Sequence, residues 1–173
     1  RRTYCHDGVF MEFSISAPPS FYKKASPISP CDTIAEDYKT SCACSQAQVM
    51  RFKFGMETAA IAKVCIDTEN SKIIYHCVDA IGYSIGQAYR GKSSKVILNC
   101  QEIADETAAA QCMAAAAGEL IFQDYVGWQE STKEICGSLF VLADYQKRRN
   151  ITYLNLLLRE LLLNILSAMD SIS

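Results

Sequence analysis

Histidine is nearly missing from this chain: His6 and His76 are the only two in 173 residues. Neither falls in a metal-binding HExxH, and there is no glycine-elbow serine or phosphate loop, so the common hydrolase and nucleotide-binding signatures are excluded. An excess of charge of one sign is also missing. Seventeen basic and nineteen acidic side chains give a net charge of −2, which supplies no global electrostatic reason to hold nucleic acid or an anionic membrane. The densest basic cluster, Lys147-Arg148-Arg149, is short and lies between two helical patterns, where it reads as charge opposing a helix C-terminal dipole. No apolar run reaches the roughly 20 residues that a membrane span needs. No CxxC pair occurs, and this removes zinc ribbons and thioredoxin-like redox sites. No metal or cofactor is expected.

What the chain does have is apolar residues, half of the total, and nine cysteines. The first is ample for a packed core. The second points to an oxidising compartment. The chain opens at Arg1-Arg2-Thr3-Tyr4 with no hydrophobic leader, and is read as the mature form of a secreted protein. Asn150-Ile151-Thr152 is a glycosylation sequon; Asn150 also stands where a helix N-cap belongs, which is the preferred reading.

The cysteines form a ladder. Those at 31, 65, 100 and 136 are 34, 35 and 36 residues apart, and those at 42, 77 and 112 are each 35 apart. Short steps (Cys31 to Cys42, Cys65 to Cys77, Cys100 to Cys112) alternate with long ones (Cys42 to Cys65, Cys77 to Cys100, Cys112 to Cys136). Phe54, Tyr89 and Tyr125 each lie 11 residues before the cysteine that ends a long step, and Gly55, Gly91 and Gly127 follow them. Only Cys5 and Cys44 fall outside the ladder. A period of this length is the mark of a repeat architecture.

Within a long step the apolar spacing is helical. From Ser71, the residues Ile73, Ile74, Cys77, Val78, Ile81, Ile85 and Ala88 follow three-and-four spacing. Asn70 or Ser71 can cap the start, Gly91 can end it, and Asp105 is the equivalent cap of the next, alanine-rich copy. Shorter helices are expected over 56–66 and 94–104, and turns near 69–71, 91–93, 104–106, 127–130 and 149–151. Tyr89 is expected on a last helical turn, packing across the loop. The fold class is therefore all-α: disulfide-stapled tandem helical-hairpin repeats over 31–64, 65–99 and 100–135, with a helical cap over 136–173. Its stretch from Ile151 to Met169 is a core helix or one with a partner-covered face. Residues 1–30, interrupted by Pro18, Pro19, Pro27 and Pro30, are read as an extended arm anchored by Cys5.

In an antiparallel hairpin, residues equidistant from the loop face one another. Around a loop centred near Asn70, Cys65 faces a position some three residues short of Cys77, whereas Cys77 and Cys100 are offset by roughly 10 Å. The short steps are thus expected to carry the bonds: Cys31–Cys42, Cys65–Cys77 and Cys100–Cys112. Cys5 is expected to pair with Cys44, and Cys136 to be free or intermolecular.

Candidate chemistry is sparse. His6 beside Asp7 reads as a surface turn; His76 precedes Cys77, but a disulfide there removes the nucleophile. Cys42-Ala43-Cys44 with His76 is a single metal knuckle where zinc sites have two. Glu36 with Asp37, and Asp105 with Glu106, stand at helix starts, where they complement the dipole. No catalytic or metal residue is assigned.

Two successive units, Cys77–Tyr89–Cys100 and Cys112–Tyr125–Cys136, resemble the paired Cys…Tyr…Cys signature of the bicycle proteins, secreted salivary effectors of gall-forming aphids. The resemblance covers residues 77–136; Phe54 replaces the tyrosine in the preceding Cys42–Cys65 step. It implies a protein delivered into plant tissue and supplies no active site. The function expected is that of a secreted non-enzymatic interaction protein, an effector acting on a host protein. The alternative is a helical carrier of a small apolar ligand, with its pocket between the C-terminal and alanine-rich helices. An enzyme would need Cys44 or Cys136 joined to a histidine. Homodimerisation would run through the C-terminal helix or Cys136.

Overall fold

The structure, a computed structural model, describes residues 2–18, 26–123 and 126–147, with side chains over 7–18, 26–123 and 126–139. Among these residues there are seven helices and no strand: α1 (Arg2–Ser16), α2 (Glu36–Phe52), α3 (Thr58–Ile66), α4 (Ser71–Ala88), α5 (Ser93–Gln101), α6 (Glu106–Phe122) and α7 (Trp128–Lys147). The expectations for Tyr125, Asn150, the turn at 149–151 and the helix over 151–169 lie outside the described residues.

The helix boundaries follow local chemistry. Asn70 accepts from the backbone amides of Lys72 and Ile73 at 3.1 Å, and Asp105 from that of Ala108 at 2.8 Å, so each satisfies amides that a helix start leaves unpaired. After α4 the chain reverses through Gly91 at φ 66°, a left-handed conformation that costs glycine little. Tyr89 caps α4, and the Lys95 ammonium stands 5.7 Å from its ring centroid across the loop. Gly55 and Gly127, at φ 65° and 92°, occupy the corresponding places.

The long helices α2, α4 and α6 pack side by side, α4 in the middle. The short α3 and α5 lie against α4 and α6, α7 closes over α5 and α6, and α1 covers α2. Three disulfides tie this arrangement at the short steps. Cys31–Cys42 joins the 26–34 turns to α2, Cys65–Cys77 joins α3 to α4, and Cys100–Cys112 joins α5 to α6, with Cα–Cα distances of 5.5, 6.1 and 5.6 Å. All six half-cystines are buried in one continuous core with Met50, Ile61, Ile73, Ile85, Met113 and Leu120. The sequence boundaries at 65, 100 and 136 fall inside α3, α5 and α7.

The extended arm expected over 1–30 is corrected: residues 2–16 are helical and end just before Pro18. Phe13 and Ile15, two residues apart, imitate a strand period, but the period that holds is helical. Phe10, Ser14 and Ala17 share one helical face; Phe10 packs on the core and Ala17 on Val49, while Ile15 is 69% exposed. The prolines act only afterwards, where Pro18 disfavours helix at the residue before it. Lys53 then fastens the end of α1 by donating to the carbonyls of Ile15 and Ala17 at 3.3 and 2.8 Å.

The contact of α4 with α6 is the tightest in the fold. A Cβ on Gly82 would overlap the Cys112 carbonyl oxygen and stand 2.7 Å from the Ala115 Cβ. One on Gly86 would stand 2.9 Å from the Ala116 carbonyl oxygen. Two glycines one turn apart on α4 thus face alanines on α6, and the backbones meet with almost no side chain between them. Gly82→Ala is expected to lower the free energy of unfolding by about 1–3 kcal/mol through overpacking. Gly118→Ala, where no neighbour stands within 4 Å, should raise it by roughly 0.5–1 kcal/mol. Urea unfolding midpoints of the two variants check the contrast.

Candidate functional site

The ionisable side chains gather on one face of α4. Tyr75, His76, Asp79 and Tyr83 succeed one another there at helical spacing, opposite the buried stripe of Ile73, Cys77, Val78 and Ile81. Gln111 of α6 fixes this face from one side: its Nε2 donates to the Tyr75 carbonyl at 2.6 Å and to Asp79 Oδ1 at 3.4 Å. Cys44 of α2 fixes it from the other, its thiol donating to the His76 carbonyl at 3.5 Å. Further along, Gln87 Nε2 donates to Glu119 Oε1 at 2.9 Å. The His76 ring meets that of Tyr75 edge to face, with centroids 5.0 Å apart. Tyr75 and Tyr83 are each 41% exposed.

A free thiol, an imidazole and a carboxylate share this face, but the Cys44 thiol meets the backbone carbonyl of His76 and not its imidazole, and Asp79 acts on both groups only through its charge. Their electrostatics also oppose a cysteine nucleophile. Burial pushes the Cys44 thiol from an ordinary 9.0 to about 12, and the charges of Asp79 and Asp7 add to the rise. Burial also lowers the His76 pKa, against the pull of Asp79 and Asp7. It raises that of Asp79, and that of the Tyr83 phenol, where Asp79 acts in the same direction. A reactive cysteine needs a neighbouring cation or a helix N-terminus to hold its thiolate. Cys44 sits inside α2 among acidic groups, so the proton stays on sulfur.

The expected Cys5–Cys44 bond is corrected: Cys44 is a free thiol. α1 lies on α2 as a helix and not as a tethered arm, and the Cys44 sulfur turns towards α4; the Cys5 side chain lies outside the described residues. Cys42 is bonded to Cys31 and Cys77 to Cys65, so neither the Cys42-Ala43-Cys44 knuckle nor a Cys77–His76 pair has its thiolate. Among the described residues no three histidine, cysteine or carboxylate side chains could hold a metal ion. Cys136 is free and half-buried on α7, in the place that Cys65 and Cys100 take on α3 and α5. With the separation of 12 found in the bonds of those two cysteines, its partner would fall at Arg148. Glu36 and Asp37 open α2 and Asp105 with Glu106 opens α6, as the dipole favours.

The alanine-rich α6 is buried on several faces against α4, α5 and α7; the C-terminal helix expected to form a pocket with it lies outside the described residues. A pocket of about 290 Å³ lies elsewhere, between α1, the turns preceding α2, and α2 itself. Sequence reasoning missed Tyr75, Asp79, Tyr83 and Gln111. The signal available was the spacing of Tyr75, Asp79 and Tyr83, one turn apart on the polar side of α4.

No protein-family model, no curated protein and no solved structure matches the chain. Fold and site together define a class: an all-α, disulfide-stapled protein of stacked helices with a polar, aromatic seam across its long helices. Among the described residues no helix is long and apolar enough to cross a membrane.

Two outcomes are expected in solution. At pH 8 native Cys44 should react with iodoacetamide roughly a hundred- to a thousandfold more slowly than an unfolded-chain cysteine, because its thiolate fraction is that much smaller; mass-spectrometric alkylation rates measure this. Asp79→Asn should stabilise the fold at pH 7 while keeping an oxygen for Gln111. A carboxyl whose folded-state pKa is raised favours the native state below the ordinary carboxylate range and loses that advantage as pH rises through its own pKa. The gain of the variant is therefore expected to vanish near pH 3, as read from urea midpoints across pH.

Proposed function

We propose that the chain is a secreted, non-enzymatic interaction protein, an effector that engages a host macromolecule through the exposed face of α4. One observation carries this reading. The Cys44 thiol on this face is partly buried, bonded to the His76 backbone carbonyl and keeps its proton, while Tyr75 and Tyr83 on the same face are each half-exposed. Half-exposed tyrosines on a rigid helix are the side chains that binding surfaces use as anchors, since they bring large contact area at small entropic cost. Three disulfides support an oxidising compartment, and a stapled scaffold keeps such a face rigid outside the cell. The resemblance of the Cys77–Tyr89–Cys100 and Cys112–Tyr125–Cys136 units to the bicycle proteins makes a plant the proposed host.

The test is affinity capture from plant extract by the oxidised protein, compared with the Tyr75→Ala/Tyr83→Ala variant. A partner enriched by the native chain and lost at least roughly tenfold by the variant is the expected result, since two anchors of this kind are worth more than 1.4 kcal/mol together. Turnover of a substrate by the pure chain, abolished by His76→Ala or Cys44→Ser with the fold intact, would overturn the proposal.

A further inference from the structure

The pocket between α1 and α2 is lined by Phe10 and Phe13 of α1, by Pro30 and Ile34 of the intervening turns, and by Val49 of α2, with the bonded sulfur of Cys42 beside them. Its volume, about 290 Å³, is at the small end of ligand sites. No charged side chain lines it, so an ion entering would lose its hydration without gaining a partner.

Three polar side chains line the pocket, Ser14, Ser45 and Gln46, and only the Ser45 hydroxyl is left able to donate. Gln46 lines it and is only 3% exposed. Its Nε2 is committed to the Pro27 carbonyl at 2.5 Å, which fixes the amide and leaves Oε1 as an acceptor with no partner among the described residues. The Ser14 hydroxyl hydrogen is likewise spent on the Met11 carbonyl at 2.6 Å, so its oxygen can only accept. The Cys31–Cys42 bond holds the turns against α2 and so fixes two walls of the pocket relative to each other, a preorganisation that a ligand need not supply.

We propose that this pocket binds a small neutral molecule with an apolar, ring-sized body and one hydrogen-bond donor, of the alkylphenol kind. The ring lies between Phe10, Phe13 and Val49, and the donor reaches Gln46 Oε1. The site stands on α1 and α2, apart from the tyrosine face of α4, and is independent of the function proposed for that face.

The experiment is titration calorimetry on the full oxidised chain with three probes of equal body: 4-methylphenol, toluene and 4-methylbenzoate. Saturable one-to-one binding of 4-methylphenol is expected, roughly tenfold tighter than toluene, as one hydrogen bond to an acceptor without a protein partner provides; 4-methylbenzoate should not bind. Ser45→Phe fills the pocket from its half-buried rim and should abolish binding with the helical circular dichroism unchanged. Phe13→Ala, at a side chain already 47% exposed, removes a wall without emptying the core and should weaken binding severalfold even if Ser45→Phe fails to fold. The proposal is overturned if no probe saturates, if toluene or the carboxylate binds as tightly as the phenol, or if Phe13→Ala binds like the native chain.

Discussion

The approach of α4 to α6 sets the geometry on which everything else rests. With glycine at 82 and 86 and alanine at 115 and 116, the two backbones come within reach of each other's carbonyl oxygens. Dispersion between close-packed backbones grows steeply as the gap closes, so this seam selects a single register. That register brings Gln111 level with Tyr75 and Asp79, and Glu119 level with Gln87. A shift by one turn, about 5.4 Å, would separate each of these pairs and strand their polar atoms in a partly buried seam. The polar bonds therefore report the register that the small residues impose.

The disulfides act at right angles to that constraint. Each joins a short segment to the long helix following it and closes a loop of about a dozen residues, which restricts the unfolded chain by about 2–3 kcal/mol apiece. Among the described residues no disulfide links one long helix to the next, so the stacking of α2, α4 and α6 depends on packing and on the hydrogen bonds of Cys44, Gln87 and Gln111. This division explains why a helix so rich in alanine can be central. Alanine contributes little buried area per residue, but it lets helices approach closely and loses no side-chain entropy in doing so.

Burial in this packed seam also decides the chemistry of the ionisable groups. The same helices that bring Cys44, His76 and Asp79 together exclude the water that would stabilise their charged forms. Acidic neighbours add to the effect on the thiol. Without a compensating cation the Cys44 thiol keeps its proton, which leaves the exposed tyrosines of α4 as the chemically distinctive part of that face.

Much of the fold was legible in the residues themselves because its signals are local. The short-step cysteines, the caps Asn70 and Asp105, and the glycine turn after Tyr89 act over a dozen residues or fewer, and each placed an element boundary that the structure contains. The α1 helix was misread because Phe13 and Ile15 imitate a strand period when the burial of Phe10 and Ala17 against α2 is unknown. Cys44 was assigned a partner by elimination, whereas its direction is set by the rotation of α2 against α4. The Gly82 and Gly86 pair was visible as spacing, but its meaning required the alanines of a helix some thirty residues away. The sequence by itself determined the helices from α3 to α6 and the three bonds, because hydrogen bonding and loop closure within a helix pair are short-range. Only the tertiary structure decided which faces meet, which ionisable groups lose their water, and where a pocket remains, because packing and desolvation depend on residues distant in the chain.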